Sequence, residues 1–226
     1  MSMPFYVAPE QFMKDKADFA RKNIARGRPL VATVYGDGIL ICAENASKSL
    51  HKVSEIYDRI AFAGVGRYNE FDQLRVAGVR HADLKGYSYS REDVDARSLA
   101  NAYAQALGQV FTHEMKPLEV EILVAEVAHE GGRDQLFHIL YDGTVIDEPT
   151  RAVLGGDAEA IAERFEAAHD PAATTTEVLA VAVTALAGPD RTLGAEVIEA
   201  AVLDRENGRR TFRRLSDEEI AAAIGG

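Results

Sequence analysis

The chain has 226 residues, 47% of them apolar and 27% charged, which is the balance of a globular protein large enough to bury one core. It carries 36 Asp and Glu against 25 Lys and Arg, and the net charge of −11 argues against broad contact with nucleic acid phosphates. We expect a reducing, cytoplasmic compartment, because no apolar run suits a membrane span, no basic leader marks a signal peptide, and the one cysteine, Cys42, lies in an apolar stretch.

The first predicted element is a helix from Pro9 to about Arg26. Proline suits the first helical position, and apolar residues recur along the segment at helical spacing. These apolar positions are Phe12, Met13, Ala17, Ala20 and Ile24. The opposite, solvated face is predicted to carry Lys14, Lys16, Arg21 and Lys22.

Four predicted strands follow this helix. Segments 29–35 and 39–45 flank the turn Gly36-Asp37-Gly38, whose residues tolerate positive φ. Segments 53–57 and 60–64 form a second short pair. Because the four strands are consecutive, we expect them to share one sheet.

Two helices are predicted next, one through Phe71 and Ala82 and one from Leu99 to Val110. The segment 85–89 between them contains a glycine and lacks helical periodicity, which predicts a loop. The remaining strands are predicted at 119–127, 135–141, 144–146, 152–154, 195–204 and 210–215, with hairpin turns at Asp142-Gly143 and Asn207-Gly208.

Three further helices are predicted in the second half of the chain from the residues that would cap their N-termini. Asp157 precedes a helical run, so Gly155-Gly156-Asp157 indicates a turn into a helix and lacks the full spacing of a nucleotide site. Thr174 with Glu177 fits a capping box, and Ser216 with Glu219 fits a second one. The order of elements predicts an α+β domain with two sheets face to face and helices on both outer sides.

Four segments carry a family resemblance. They are Tyr57-Asp-Arg-Ile-Ala-Phe-Ala-Gly64, Gly66-Arg-Tyr-Asn-Glu-Phe71, Leu99-Ala-Asn-Ala-Tyr-Ala-Gln105 and Tyr141-Asp-Gly143. Together with the N-terminal helix, they resemble 20S proteasome α subunits of the actinobacterial branch, from Pro9 to about Leu215. The resemblance implies the four-layer α-β-β-α sandwich of the N-terminal nucleophile hydrolases.

That fold implies one proteasome α-subunit domain over residues 1–226. Its parts would be a gate segment at 1–8, an N-terminal helix at 9–26, a sandwich core at 29–215 and a terminal helix or tail at 216–226. No linker or low-complexity stretch interrupts the chain.

The resemblance also implies which chemistry is absent. In proteolytic subunits the first strand begins with a threonine, and a nucleophilic threonine uses its own free α-amine as base. Here that place is held by Arg28, inside the chain. We therefore expect no catalytic residue, no cofactor and no metal. The chain would be a structural subunit of a complex whose peptidase activity resides in the β subunits.

Partners are likewise implied by the resemblance. Seven copies would form an outer ring that docks a ring of β subunits, an ATPase activator ring and unfolded protein substrates in transit, with no nucleic acid or membrane partner. Lys52 would pair with the C-terminal carboxylate of an activator tail, in a pocket that includes Gly66 and Arg67. The gate would be formed by Met3, Pro4, Phe5, Tyr6 and Val7.

Two other classes of function stay open at this point. A self-processing N-terminal nucleophile hydrolase would need Thr, Ser or Cys after a cleavable bond, and Gly27-Arg28-Pro29 offers none. A small-molecule binding protein on an α+β scaffold would need a ligand fingerprint, and we find no such motif. The six histidines show no metal-ligand spacing.

Overall fold

The computed structural model describes residues 8–129 and 132–225, and within them the chain forms six α-helices and ten β-strands. The helices are α1 (Pro9–Ile24), α2 (Tyr68–Ser88), α3 (Ala96–His113), α4 (Ala158–Ala168), α5 (Thr175–Ala187) and α6 (Asp217–Ile224). The strands are β1 (Leu30–Tyr35), β2 (Gly38–Glu44), β3 (Val53–Tyr57), β4 (Ile60–Gly66), β5 (Val120–Glu126), β6 (Gln135–Ile139), β7 (Val145–Glu148), β8 (Arg151–Leu154), β9 (Ile198–Asp204) and β10 (Phe212–Arg214). In this part of the chain no helix has the length and apolar character needed to cross a bilayer.

The strands form two antiparallel sheets of five strands each. Sheet I has the order β10-β9-β2-β1-β8, and sheet II has the order β3-β4-β5-β6-β7. The expectation that the first four strands share one sheet is therefore wrong. The place beside β2 is taken by β9, which pairs with it along seven residues, so the chain crosses to sheet II between Glu44 and Val53.

Side-chain alternation along the strands builds the layers. Inward residues fill a core between the sheets, among them Leu30, Ala32, Ile39 and Ile41 from sheet I and Val53, Ala63, Leu123 and Ala125 from sheet II. Outward residues of sheet I pack under α4, α5 and α6, and those of sheet II pack under α2 and α3. The predicted four-layer α-β-β-α sandwich, and with it the α+β fold class, is confirmed.

Local signals in the sequence are confirmed where they act within a few residues. Thr174 and Glu177 form the predicted capping box at the start of α5, and the Thr174 backbone N–H donates to Glu177 Oε2 at 2.8 Å. Asp157 caps α4 by accepting from the Ala160 N–H. Cys42 is fully buried under the helices of sheet I, and burial raises the pKa of its thiol to about 12.

The predicted loop at 85–89 is wrong, because α2 continues through all but the last of these residues. Gly86 is not a loop residue but a packing position, since a Cβ there would lie 2.1 Å from the Tyr57 hydroxyl. Lys85 Nζ reaches forward to Asp95 Oδ2 at 2.6 Å, which joins the end of α2 to the start of α3.

Helix α1 ends at Ile24, two residues before the predicted end, and its burial differs from the predicted pattern. Lys16, expected on the solvated face, is 5% exposed. Its ammonium donates to the carbonyl oxygens of Phe111 at 2.9 Å and Glu114 at 2.5 Å. These carbonyls lie at the C-terminal end of α3, where a helix leaves carbonyls unpaired and the macrodipole favours a cation. Lys16 thus anchors α1 to α3.

We predict that Lys16→Met lowers the free energy of unfolding by about 1.5–3 kcal/mol, the usual cost of losing hydrogen bonds to a charged group. The matched control is Lys14→Met on the same helix, because Lys14 is exposed. Urea unfolding of the two variants measures the difference, and equal midpoints for both would show that Lys16 is no anchor.

Candidate functional site

The site begins with Lys52, the residue directly before β3. Its carbonyl oxygen accepts from the Gly64 N–H at 3.1 Å, which sets Lys52 beside β4. Its own N–H donates to Glu199 Oε2 at 2.9 Å, and the next amide, of Val53, donates to Glu199 Oε1 at 3.2 Å. Because Glu199 lies on β9, a side chain of sheet I holds the start of a strand in sheet II.

Glu199 is a buried carboxylate with a full set of donors. It is 8% exposed and also accepts from Asn45 Nδ2 at 2.8 Å and from the Arg214 guanidinium. Buried charges persist only when they are paired and hydrogen-bonded, and this arrangement meets both conditions. Glu199 was not predicted from the sequence. The signal was present, because this residue interrupts the apolar run from Ile198 to Leu203 within β9.

The Lys52 side chain points toward the start of β1. Its Nζ donates to the carbonyl oxygen of Arg28 at 2.5 Å, at the place where proteolytic relatives would carry their nucleophile. Burial lowers the pKa of this ammonium to about 8, although the carboxylates of Glu199 and Glu44 oppose that shift. An ammonium has three donors, so two remain for a further acceptor beyond this carbonyl.

Gly66 ends β4 in a conformation that requires glycine. Its φ is +108°, and a Cβ there would lie 2.0 Å from the Glu119 carbonyl oxygen. The turn that leads into β1 packs on it, since a Cβ at Gly27 would lie 3.4 Å from the Gly66 nitrogen. Lys52 and Gly66 are therefore brought together around residues 27 and 28.

Arg67 occupies the N-cap position of α2 without a side-chain capping bond, and it belongs to a cluster of charges. Its guanidinium lies 3.6 Å from carboxylate oxygens of both Glu70 and Glu119. Lys116 Nζ binds the same two carboxylates at 2.9 and 2.8 Å. The charge of Arg67 is thus engaged by its own chain; neither its partners Glu70 and Glu119 nor the second cation, Lys116, was predicted from the sequence.

Two other titratable side chains, Glu44 near Lys52 and His138 on β6, have partners inside the chain. Glu44 is buried and binds the Arg191 guanidinium at 3.2 and 3.3 Å, with Arg28 at 3.9 Å. His138 lies 3.2 Å from Glu121 across sheet II. Among the residues that the structure describes, no three His, Cys, Asp or Glu side chains converge as a metal site would need.

The predicted gate residues Met3, Pro4, Phe5, Tyr6 and Val7 lie outside the described residues.

A cavity of about 490 Å³ lies at the other end of β3 and β4, beside the turn between them. All three of its arginines face acceptors. Arg91 forms two hydrogen bonds with Asp58, at 2.6 and 3.0 Å, Arg59 donates to the Val127 carbonyl at 2.9 Å, and Arg209 Nε lies 3.5 Å from Asp58 Oδ2. The cavity therefore has mixed charge and offers a small anion no unpaired arginine.

We predict that Gly66→Ala lowers the free energy of unfolding by at least about 2 kcal/mol, because alanine is strained at positive φ and its Cβ meets backbone. The control is Gly36→Ala, where an added Cβ meets nothing within 4 Å, and we expect a change below about 1 kcal/mol. Chemical denaturation compares the two, and a smaller loss for Gly66→Ala than for Gly36→Ala would contradict this geometry.

A family model and curated relatives identify the same family over most or all of the chain. The family model described as "Proteasome subunit" matches residues 24–203. A relative named "Proteasome subunit alpha" from Acidimicrobium ferrooxidans is 66% identical, covering 100% of this chain and 97% of its own length. Proteins with the same name from Xylanimonas cellulosilytica and Thermobifida fusca are 57% and 53% identical, covering 100% and 99% of this chain and 97% and 91% of their own lengths. The chain therefore belongs to the proteasome subunit family, and it aligns over its whole length with that family's α subunits.

Proposed function

We propose that this chain is a non-catalytic α subunit of a 20S proteasome core, with peptidase activity residing in the β subunits. The observation that carries the proposal is Arg28, two residues before β1. It is preceded by α1 and a turn, so this place holds neither a threonine nor a free amine. The whole-length match to α subunits supports the same assignment.

Assembly follows from this assignment. Seven copies would form a ring, with residues 29–215 as the sandwich core of one domain, and the ring would cap a ring of β subunits in the cytoplasm. An ATPase ring would dock on the outer face and pass unfolded substrates through the axis. The buried thiol of Cys42 supports a reducing compartment.

Lys52 has the properties of a receptor for an activator's C-terminal carboxylate. The Glu199 contacts hold its backbone, its ammonium donates to the Arg28 carbonyl oxygen, and the residue is only partly buried. A compact cation with unused donors suits a single carboxylate. Gly66 would contribute its backbone to the same pocket, because the Glu119 carbonyl fills the space where a side chain would lie, whereas Arg67 is held by Glu70 and Glu119 and would contribute mainly to the rim.

We predict that Lys52→Ala weakens ATPase-dependent protein degradation by the assembled core, while hydrolysis of small peptides stays near the parent rate. A charge-assisted hydrogen bond is worth about 1.5–3 kcal/mol, or roughly ten- to hundredfold in affinity for each pocket, and several identical pockets multiply this effect. The matched control is Lys48→Ala, because Lys48 is exposed and pairs with Asp217 at 2.9 Å. Unchanged ATPase affinity in Lys52→Ala would remove Lys52 from the site.

The pH dependence of peptide binding tests whether Lys52 acts through its positive charge or only supports the structure of the pocket. In the free pocket the Lys52 pKa is about 8, and a bound carboxylate favours the protonated ammonium. Affinity for a peptide with a free C-terminus should therefore fall as pH rises through 8, by about tenfold per pH unit. Lys52→Arg should give a flat profile, since a guanidinium stays charged. An identical profile for the amidated peptide would contradict a carboxylate contact.

The gate proposal concerns the segment before α1. Deleting residues 2–7 retains Ala8, whose carbonyl accepts the Phe12 N–H at 3.0 Å and so begins α1. We predict that the assembled core then hydrolyses long peptides faster than the parent, because the axis opens while the β active sites are unchanged. Hydrolysis of a dipeptide-sized substrate is the control. A truncated particle that assembles normally and degrades casein no faster than the parent would rule out a gate here.

A further inference from the structure

Glu126, the last residue of β5, interrupts an apolar row on the face of sheet II that α2 and α3 cover. Ile122 and Val124 precede it on this face and are fully buried, and its partner across the ladder is the buried Ile60 of β4. Strand alternation would therefore place an apolar residue here. A carboxylate in such a row needs partners, because an unpaired charge is costly where water is largely excluded.

Only one oxygen of this carboxylate has a partner. Its Oε2 accepts from the Ala96 N–H at 2.7 Å, which is one of the donors that the start of α3 leaves unpaired. Among the residues that the structure describes, the other oxygen accepts no hydrogen bond and the carboxylate forms no salt bridge. Burial raises the pKa of Glu126, as expected of a carboxylate that lacks a bound cation.

Glu126 lines the cavity of about 490 Å³ beside the β3–β4 turn. Apolar walls are supplied by Tyr57, Ile60 and Val94, each less than a tenth exposed. The Arg91 guanidinium covers the Tyr57 ring, with its central carbon 4.7 Å from the ring centroid. The volume is within the range of small-ligand sites in proteins, which are mostly apolar with a few polar groups. The cavity thus combines apolar walls with a carboxylate that can accept further hydrogen bonds.

The other charges of the cavity argue against an anion or a metal ion as its occupant. Arg91 and Arg209 both face Asp58, and Arg59 is bound to backbone carbonyls, so these arginines are already engaged. In the part of the chain that the structure describes, no three metal-binding side chains converge. A cation that carries its own apolar chain fits both the walls and the carboxylate.

We propose that this cavity binds a primary ammonium at the end of a short apolar chain, with the ammonium on Glu126 and the chain against Tyr57 and Val94. An ammonium suits this carboxylate better than a guanidinium, because a guanidinium binds both oxygens at once and Oε2 is already engaged by Ala96. Small free amines and the lysine side chains of proteins share this chemistry. The cavity lies at the opposite end of β3 from Lys52, so the site is separate from the proposed activator contact.

The probe is n-butylammonium, and saturation-transfer NMR on the purified full-length chain measures its dissociation constant. We expect saturable binding by the parent and roughly ten- to hundredfold weaker affinity for Glu126→Gln, the loss typical of a charge-assisted hydrogen bond. The amide oxygen in this variant can still accept the Ala96 N–H, so the start of α3 is retained. The matched control is Glu92→Gln, because Glu92 lines the same cavity but is exposed, and the affinity should change by less than about threefold.

A ligand series on the parent chain makes the test independent of the variants. Both 1-butanol and n-butylguanidinium should bind more weakly than n-butylammonium. An acetylated and amidated Gly-Lys-Gly peptide separates the two sources: binding of the peptide assigns the site to a lysine side chain, and binding of the amine alone assigns it to a free amine.

Three results would overturn the proposal. The first is a parent chain that does not bind n-butylammonium. The second is equally tight binding of 1-butanol or n-butylguanidinium. The third is an affinity of Glu126→Gln that equals that of the parent or of Glu92→Gln.

Discussion

The geometry of the candidate site depends on one buried carboxylate, that of Glu199. It accepts the backbone amides of Lys52 and Val53 in the opposite sheet, and Asn45 and Arg214 supply its other donors. Removing its donors would leave a buried charge unpaired, which costs several kcal/mol, so the arrangement is strongly fixed. The separation of the two sheets at this point, and hence the place where Lys52 reaches the surface, follows from this contact.

The group that faces Lys52 decides whether this fold supports catalysis or binding. Proteolytic members of the family place a threonine at the start of the first strand, as the sequence resemblance implies. Here Lys52 meets the carbonyl oxygen of Arg28, which can neither attack a peptide nor take up a proton at neutral pH. What remains is a cation at a strand end, beside a glycine whose positive φ fixes the backbone there. That combination suits recognition of an anionic chain end more than chemistry on it.

The sequence predicted those features whose causes lie within a few residues. The capping box of Thr174, the hairpins and the alternation of the strands were all visible, because each depends on neighbours along the chain. The assignment of β1 to β4 to two sheets was not, since it depends on β9 pairing with β2. The contacts of Lys16 and Glu199 were not predicted for the same reason: most of their partners lie 95 or more residues away, and the periodicity of a helix or strand carries no information about such partners. Gly86 was predicted to lie in a loop, because its packing partner, Tyr57, is distant in sequence.

The most direct test is electron microscopy of the core particle, assembled from this chain and its β partner, with a peptide that ends in a free carboxylate. We expect the terminal carboxylate within about 4 Å of Lys52 Nζ, the distance of an ion pair. Peptide density at another place on the particle, with Lys52 Nζ still bound to the Arg28 carbonyl alone, would contradict the role assigned to this residue.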